Sequence, residues 1–434
     1  MNTQRKILID RLLAVPLVWF LNLAARVLGS VLRRDHSVRP TKVKLIVVAK
    51  LLGMGSILHA TPMLAALREE FPQARLLFVS TRANRALLER IPEVAETLYI
   101  DDRSLMAMAW SSARVVLALM RRRVDLYFDL EIYSAAASTL SLLSLARNRY
   151  GLYRHSSHFK QGIYTHLVYF NTRNPVSRIY LQLVQAAGGR GNVSRSFSTL
   201  GVSAADRTSF QSEMAKLGLA QEGPFLVVNP NASDLLIERR WPMDSFAQTL
   251  TTLARRGETM LLIGTAPEWE YCEKLRMAVP AEARPRVINV CGMLTLPGLF
   301  VLLQEAKAMI TNDTGPMHLA VALGCPTVSL WGPGSPDHYG TQGPRMEQLS
   351  HPVACSPCIY ETDQPPCSGH NFCMQLIQVG EVLAALDRCL RLPATQRLPG
   401  WPAQSLAQFV DGNGDMLGLL ERNSLKSRFE SGSR

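Results

Sequence analysis

The stretch Val43–Ala49 (VKLIVVA), followed by Lys50–Pro62 (KLLGMGSILHATP), decides the fold. A β-branched apolar run bounded by a glycine turn reads as a buried strand, and the amphipathic segment after it, ending near Phe71, reads as a helix. Gly53 and Gly55 let the backbone turn tightly and aim free N–H groups of that helix at an anion or a developing charge. The full dinucleotide fingerprint is missing, and two glycines after a strand are more often a plain turn. Pro62 predicts a kink. Further strand runs follow at Leu76–Ser80, Thr97–Ile100 and Leu126–Leu130, with helical segments between them, which is the pattern of parallel βαβ units. After Tyr150 the chain turns polar and aromatic up to Gly188-Gly189-Arg190-Gly191. A second series then starts at Phe225–Asn229 (FLVVN) and continues through Met260–Ile263, Val287–Val290, Ala308–Thr311 and Thr327–Trp331. Two doubly wound α/β halves therefore follow one another. Ligands in such sheets bind at the carboxyl ends of the strands, which implies a site in a cleft between the halves.

The expected organisation is a leader over residues 1–40, a first domain over 41–200, a linker over 201–222, a second domain over 223–392 and a poorly ordered tail over 393–434. At 434 residues, with 47% hydrophobic and 19% charged residues, the chain is neither disordered nor fibrous. Its net charge of +12 is concentrated at one end: residues 1–50 hold ten basic and two acidic residues. A nucleic-acid surface would be woven through the fold with aromatic residues, so a basic leader points instead to an anionic membrane surface. The apolar stretch Leu12–Ala25 is 14 residues long. A spanning helix needs about 20, so it reads as an interfacial helix, or as a helix packed on the protein's own surface. The scattered Cys272, Cys291, Cys325 and Cys389 suit a reducing cytosol, and together these features predict a cytoplasmic, membrane-peripheral protein.

The second half carries more chemistry. Asn229-Pro-Asn-Ala-Ser233 follows a strand, and Arg239-Arg240-Trp241-Pro242 opens a helix, where paired arginines can neutralise a diphosphate or simply be solvated. In the turn Gly264–Glu268, Glu268 could accept from ribose hydroxyls or favour the helix dipole. Thr311–His318 (TNDTGPMH) would present the Asp313 carboxylate, the Thr314 hydroxyl and the Gly315 amide at one strand end, with His318 just beyond. That set suits a phosphosugar. Cys355-x2-Cys358-x8-Cys367-x5-Cys373 has spacing fit for zinc or an iron–sulfur centre.

These blocks, in this order over roughly residues 42–390, resemble glycosyltransferase family 9, the bacterial heptosyltransferases of the lipopolysaccharide inner core. The resemblance implies a GT-B fold of two Rossmann-like domains. The second domain would hold a nucleotide-diphosphate sugar such as ADP-heptose through Asn229, Arg239, Arg240, Glu268, Asp313, Thr314, Gly315 and His318. The first would take a lipid-linked saccharide. It also implies inversion without a catalytic metal or other required cofactor, and reads the four cysteines as a structural loop clip closed by a metal or a disulfide. Asp129-Leu130-Glu131 is the only acidic triplet of its kind after a strand, which makes a metal-dependent GT-A enzyme a poor fit.

One position departs from the family pattern. Where heptosyltransferases carry an Asp proposed as the base, this chain has Ser56, whose hydroxyl is no base at pH 7 without a partner. His59, Asp129 or Glu131 could take that role, or the protein could bind without catalysing. Transfer from another nucleotide sugar in O-antigen or exopolysaccharide assembly is a further reading, favoured by Ser56 and by the Asp234–Glu238 insertion.

Overall fold

In the computed structural model, residues 8, 10–32, 35–189, 198, 200–216, 223–232, 236–341, 345–362, 365, 367, 369–391 and 419–421 are described. The chain divides into two compact units, residues 1–195 with 402–434 and residues 196–401. The first holds β1 (Leu45–Ala49), β2 (Arg75–Thr81), β3 (Glu96–Ile100), β4 (Leu126–Asp129), β5 (Asn148–Tyr153) and β6 (His166–Tyr169). They form a parallel sheet in the order β6-β5-β4-β1-β2-β3, to which Leu419–Glu421 adds antiparallel at the β6 edge. β1 lies centrally, with Ala49 level with Val79 on one side and Asp129 on the other. All five of its residues are buried, because helices cover both faces of the sheet. Val47, Ala49, Leu77 and Val79 pack with Val115 and Leu119 of the helix Leu105–Arg122 and Leu140 of the helix Ala135–Leu143. The helices Met54–Glu70 and Val176–Ala186 pack on one another. Met54–Glu70 runs through Pro62. The Thr61 hydroxyl donates to the Leu58 carbonyl at 2.7 Å, the acceptor that the missing N–H of Pro62 leaves open.

The second unit is built from β7 (Phe225–Asn229), β8 (Thr259–Leu262), β9 (Val287–Asn289), β10 (Ala308–Asn312), β11 (Thr327–Trp331) and β12 (Met346–Ser350), all parallel in the order β12-β11-β10-β7-β8-β9. Leu226, Val228, Met260, Leu262, Ile310 and Leu330 pack against Phe246 and Leu250 of the helix Met243–Arg255 and Leu386 of the helix Val379–Arg391.

The structure differs from the sequence reading at two places. Residues 204–216, expected within a linker, form a helix that packs on Leu296–Glu305 and so joins the second unit. β5 and β6 were hidden because they mix polar and aromatic residues, and Tyr150 is instead held by stacking between Phe128 and His166. The amino-terminal helix Val15–Leu32 packs in part on its own unit, where Val18 meets Ala135, Ile163, Tyr164 and Leu167. Just before it, the Asp10 carboxylate accepts from Ala135 N and Ala136 N, both at 2.8 Å, and so caps the helix Ala135–Leu143. In the tail only residues 419–421 are described.

Candidate functional site

In the first unit the carboxyl ends of β1 and β4 carry a buried charged cluster. Glu131 Oε2 accepts from Lys50 Nζ at 2.8 Å, and Oε1 accepts from Leu51 N at 2.8 Å and Leu52 N at 2.9 Å. Burial pushes the Glu131 carboxyl up, but the Lys50 charge and these hydrogen bonds outweigh it and hold it below its usual range. Asp129 Oδ1 accepts from Glu131 N, and Oδ2 from the Tyr164 hydroxyl. Burial raises its pKa to about 6, against the nearby Lys160 charge. Lys160 is buried too and donates to the Glu131 carbonyl at 2.6 Å. The cluster fixes residues 50–52, and Gly53 then turns at φ +86° to begin the helix that carries Ser56.

Ser56 is half-buried, one turn into that helix. His59, weighed from the sequence as a base, is 0% exposed. In this arrangement the imidazole is enclosed by protein and offers no atom at the surface. Asp129 and Glu131 are buried as well, with their oxygens taken by the chain itself. Gly55 is buried at the start of the helix.

In the second unit three strand ends converge. Asn229 at the end of β7 donates from Nδ2 to Thr314 Oγ1 at 2.8 Å and to Thr311 Oγ1 at 3.3 Å. Asn312 at the end of β10 donates to the Pro230 and Asn231 carbonyls and accepts from Trp241 N at 3.1 Å, tying together the three loops expected to bind a donor. Arg239 Nε lies 3.5 Å from Asp313 Oδ2. The Arg240 guanidinium sits 4.3 Å from the centre of the Tyr271 ring, so its plane is held before any ligand arrives. Gly315 opens the helix Gly315–Ala322. Its His318 is buried, and desolvation lowers the imidazole to about 4 although Asp313 opposes this; it is neutral at pH 7. Glu268 uses Oε2 to accept from Thr265 N and Oγ1, at 2.6 and 2.7 Å, capping its own helix. Ser233 and Asp234 lie outside the described residues.

Two positions escaped the sequence reading. A Cβ on Gly334 would stand 2.5 Å from Asp313 Oδ2, so any side chain there would have to push the carboxylate out of its place beside Arg239. Asn371 donates from Nδ2 to the carbonyls of Glu238 at 2.9 Å and Arg240 at 2.7 Å, fastening the arginine loop to the cysteine loop. Asn371 sits between Cys367 and Cys373, and Cys358 N donates to the Pro333 carbonyl at 3.1 Å. The cysteine loop thus packs on the strand ends. Cys355, Cys358, Cys367 and Cys373 are all free thiols, and among the described residues no three His, Cys, Asp or Glu side chains stand in a metal-holding group.

Residues 114–368 match the family model described as glycosyltransferase family 9 (heptosyltransferase). Lipooligosaccharide heptosyltransferase 2 of Haemophilus influenzae is 33% identical over 129 residues, 30% of this chain and 36% of that protein. Lipopolysaccharide heptosyltransferase 2 of Salmonella typhimurium is 34% identical over 119 residues, 27% of this chain and 34% of that protein. The chain therefore spans about a third of the length of these curated relatives. Among solved structures, the Escherichia coli ADP-heptose lipopolysaccharide heptosyltransferase II superposes with a TM-score of 0.65 at 21% identity, covering 80% of this chain and 99% of that one. That likeness makes the fold GT-B.

Proposed function

Because this chain belongs to glycosyltransferase family 9, we propose that it transfers a sugar, heptose from ADP-heptose in the first instance, onto a lipid-linked saccharide such as lipopolysaccharide core, with inversion and without a catalytic metal. The observation that carries this reading is the arrangement at the strand ends of the second unit, where Arg239 is paired with Asp313 and Arg240 is stacked on Tyr271. Arg240 would contact the diphosphate, and Arg239, released in part from Asp313, would share the charge. In the reaction the acceptor oxygen bonds to the anomeric carbon as the bond from that carbon to the diphosphate breaks, and the acceptor hydroxyl gives up its proton to solvent water or to the departing diphosphate. The electron pair leaves with the diphosphate, where the two guanidinium groups would stabilise it. Asn229, Thr314 and the Gly315 amide would hold the phosphosugar. Glu268 has one carboxylate oxygen beyond its cap to offer a ribose hydroxyl.

On the acceptor side Ser56 occupies the family's base position. We assign it an orienting hydrogen bond to the acceptor hydroxyl, with Lys50, Glu131, Asp129 and Lys160 acting as positioning residues that fix its loop. No carboxylate stands at position 56, so most of the rate enhancement falls on the leaving-group side. Ser56 also favours a second reading, a sugar-nucleotide binding protein without turnover. No described helix is long and apolar enough to cross a membrane, and we place the chain on the cytoplasmic face of the inner membrane through its basic amino-terminal segment.

The test is donor turnover by the purified full chain against ADP-, GDP- and UDP-sugars, with a heptose-deficient glycolipid acceptor and with chelator present. Turnover of an ADP-sugar that survives chelation is the expected result. Turnover only of a GDP- or UDP-sugar would move the chain to another assembly pathway. An inactive wild type together with an active Ser56→Asp variant would favour the binding protein.

A further inference from the structure

The helix Leu105–Arg122 bridges β3 and β4 and buries Val115 and Leu119 against the first sheet. Its opposite face is apolar yet open: Met106 is 83% exposed, Trp110 70% and Leu117 50%. Residues 106, 110, 113 and 117 recur at helical spacing, so this is one continuous stripe with Ala113 inside it. An exposed tryptophan and methionine in such a stripe need a reason, because isolated surface apolar residues are ordinary and aligned ones are not.

Charge identifies the partner. The helix contains no acidic residue. Arg122 pairs with Glu96, and Arg103 with Asp101. Arg114, Arg121 and Arg123 are exposed and make no ion pair among the described residues. Apolar side chains, a tryptophan and uncompensated arginines on one helix match the interface of an anionic bilayer, where rings and alkyl groups enter the acyl boundary and guanidinium groups stay among phosphates. The neighbouring helix Ala135–Leu143 packs on Leu105–Arg122 and on the amino-terminal helix Val15–Leu32. That amino-terminal helix exposes Phe20, Leu23, Val27 and Val31. The two open stripes therefore belong to one layer of the same unit.

We propose that the helix Leu105–Arg122 is a second membrane-binding element, docking through Met106, Trp110 and Leu117 onto anionic lipid independently of the amino-terminal helix. The proposal rests on the peripheral-membrane reading above and adds a contact that the basic leader does not supply. Two attachment points on one unit would fix its orientation on the surface, where a single helix would leave it free to pivot.

The experiment is co-flotation of the full chain with vesicles of phosphatidylcholine and phosphatidylglycerol. Met106→Ser/Trp110→Ser/Leu117→Ser is expected to lower partitioning about tenfold or more. Arg114→Gln/Arg121→Gln/Arg123→Gln is expected to lower it about a hundredfold at low salt, with most of the difference gone at high salt. These side chains are exposed, and unchanged circular dichroism would confirm an intact fold. As a second readout, brominated acyl chains should quench wild-type tryptophan emission more than that of a Trp110→Phe variant. Wild type that floats while all variants float equally, with no Trp110 quenching, overturns this inference alone. Wild type that does not float overturns the membrane reading with it. A concentration-dependent dimer abolished by the apolar variant, without any vesicle effect, would make the stripe a contact between copies and likewise overturn the proposal.

Discussion

Replacing Glu131 with Gln tests whether the buried cluster in the first unit holds the loop that leads to Ser56. Glu131 accepts three hydrogen bonds, one from Lys50 and two from the backbone of Leu51 and Leu52. Glutamine keeps the volume but leaves the buried Lys50 ammonium without its counter-charge. Removing one partner of such a pair costs about 3–5 kcal/mol, a large share of the roughly 5–15 kcal/mol that a domain has in hand. Hydrogen exchange at the β1 and β4 amides reads the first unit alone, which a global unfolding curve of two units does not. Lys50→Met combined with Glu131→Gln should recover part of the loss, since no buried charge is then unpaired. The pH dependence has a definite sign. The Glu131 carboxyl sits below its usual 4.5 in the folded protein, so the stability it contributes is full above that value and is lost as the pH falls further. The deficit of Glu131→Gln should therefore shrink on acidification below about 4.5. A deficit under about 1 kcal/mol at neutral pH, or a double variant worse than the two singles together, would refute the pairing argument.

Three other predictions concern single side chains. Asp129, raised to about 6 from 3.8, stabilises the fold fully below 3.8 and loses that contribution as pH rises through 6. Asp129→Asn should thus gain on wild type by up to about 3 kcal/mol between those values, followed by urea denaturation across the pH series. Asn371→Ala removes both hydrogen bonds onto the arginine loop; donor affinity in calorimetry should fall about five- to tenfold, and an unchanged affinity would show that the loop stands without the clip. Gly334→Ala forces a methyl against Asp313 and should cost about 1–3 kcal/mol in thermal unfolding while loosening the Arg239 pair.

Much of the architecture was legible in apolar runs. β1, β7, β10 and β11 are flanked by glycine and proline turns and are buried throughout, so composition alone marks them. β5 and β6 were not legible, because Tyr150 and His166 gain their place by stacking across strands, a contact that periodicity does not encode. The helix Ala204–Lys216 was hidden for a related reason: of its inward residues Asp206, Phe210 and Met214 only two are apolar. In the second unit the sequence marked the strand-end residues, and the structure brings Asn229 together with Thr314, and Arg239 with Asp313. What it hid were the residues that hold those groups, Asn371 and Gly334, since a link across more than a hundred positions and a close approach of backbone to carboxylate leave no local pattern. In the first unit, spacing put His59 within a turn of Ser56 and on its face, but the helix is buried on every side from Ile57 to Leu64, so His59 is enclosed where Ser56 is not.

The most direct test of the central claim is calorimetric titration of ADP, GDP and UDP into the full chain and into Arg240→Ala. The account expects saturable binding of ADP, weakened about ten- to a hundredfold in the variant by loss of a charge-assisted contact to the diphosphate. Absence of nucleotide binding, or binding of ADP indifferent to Arg240, would contradict it.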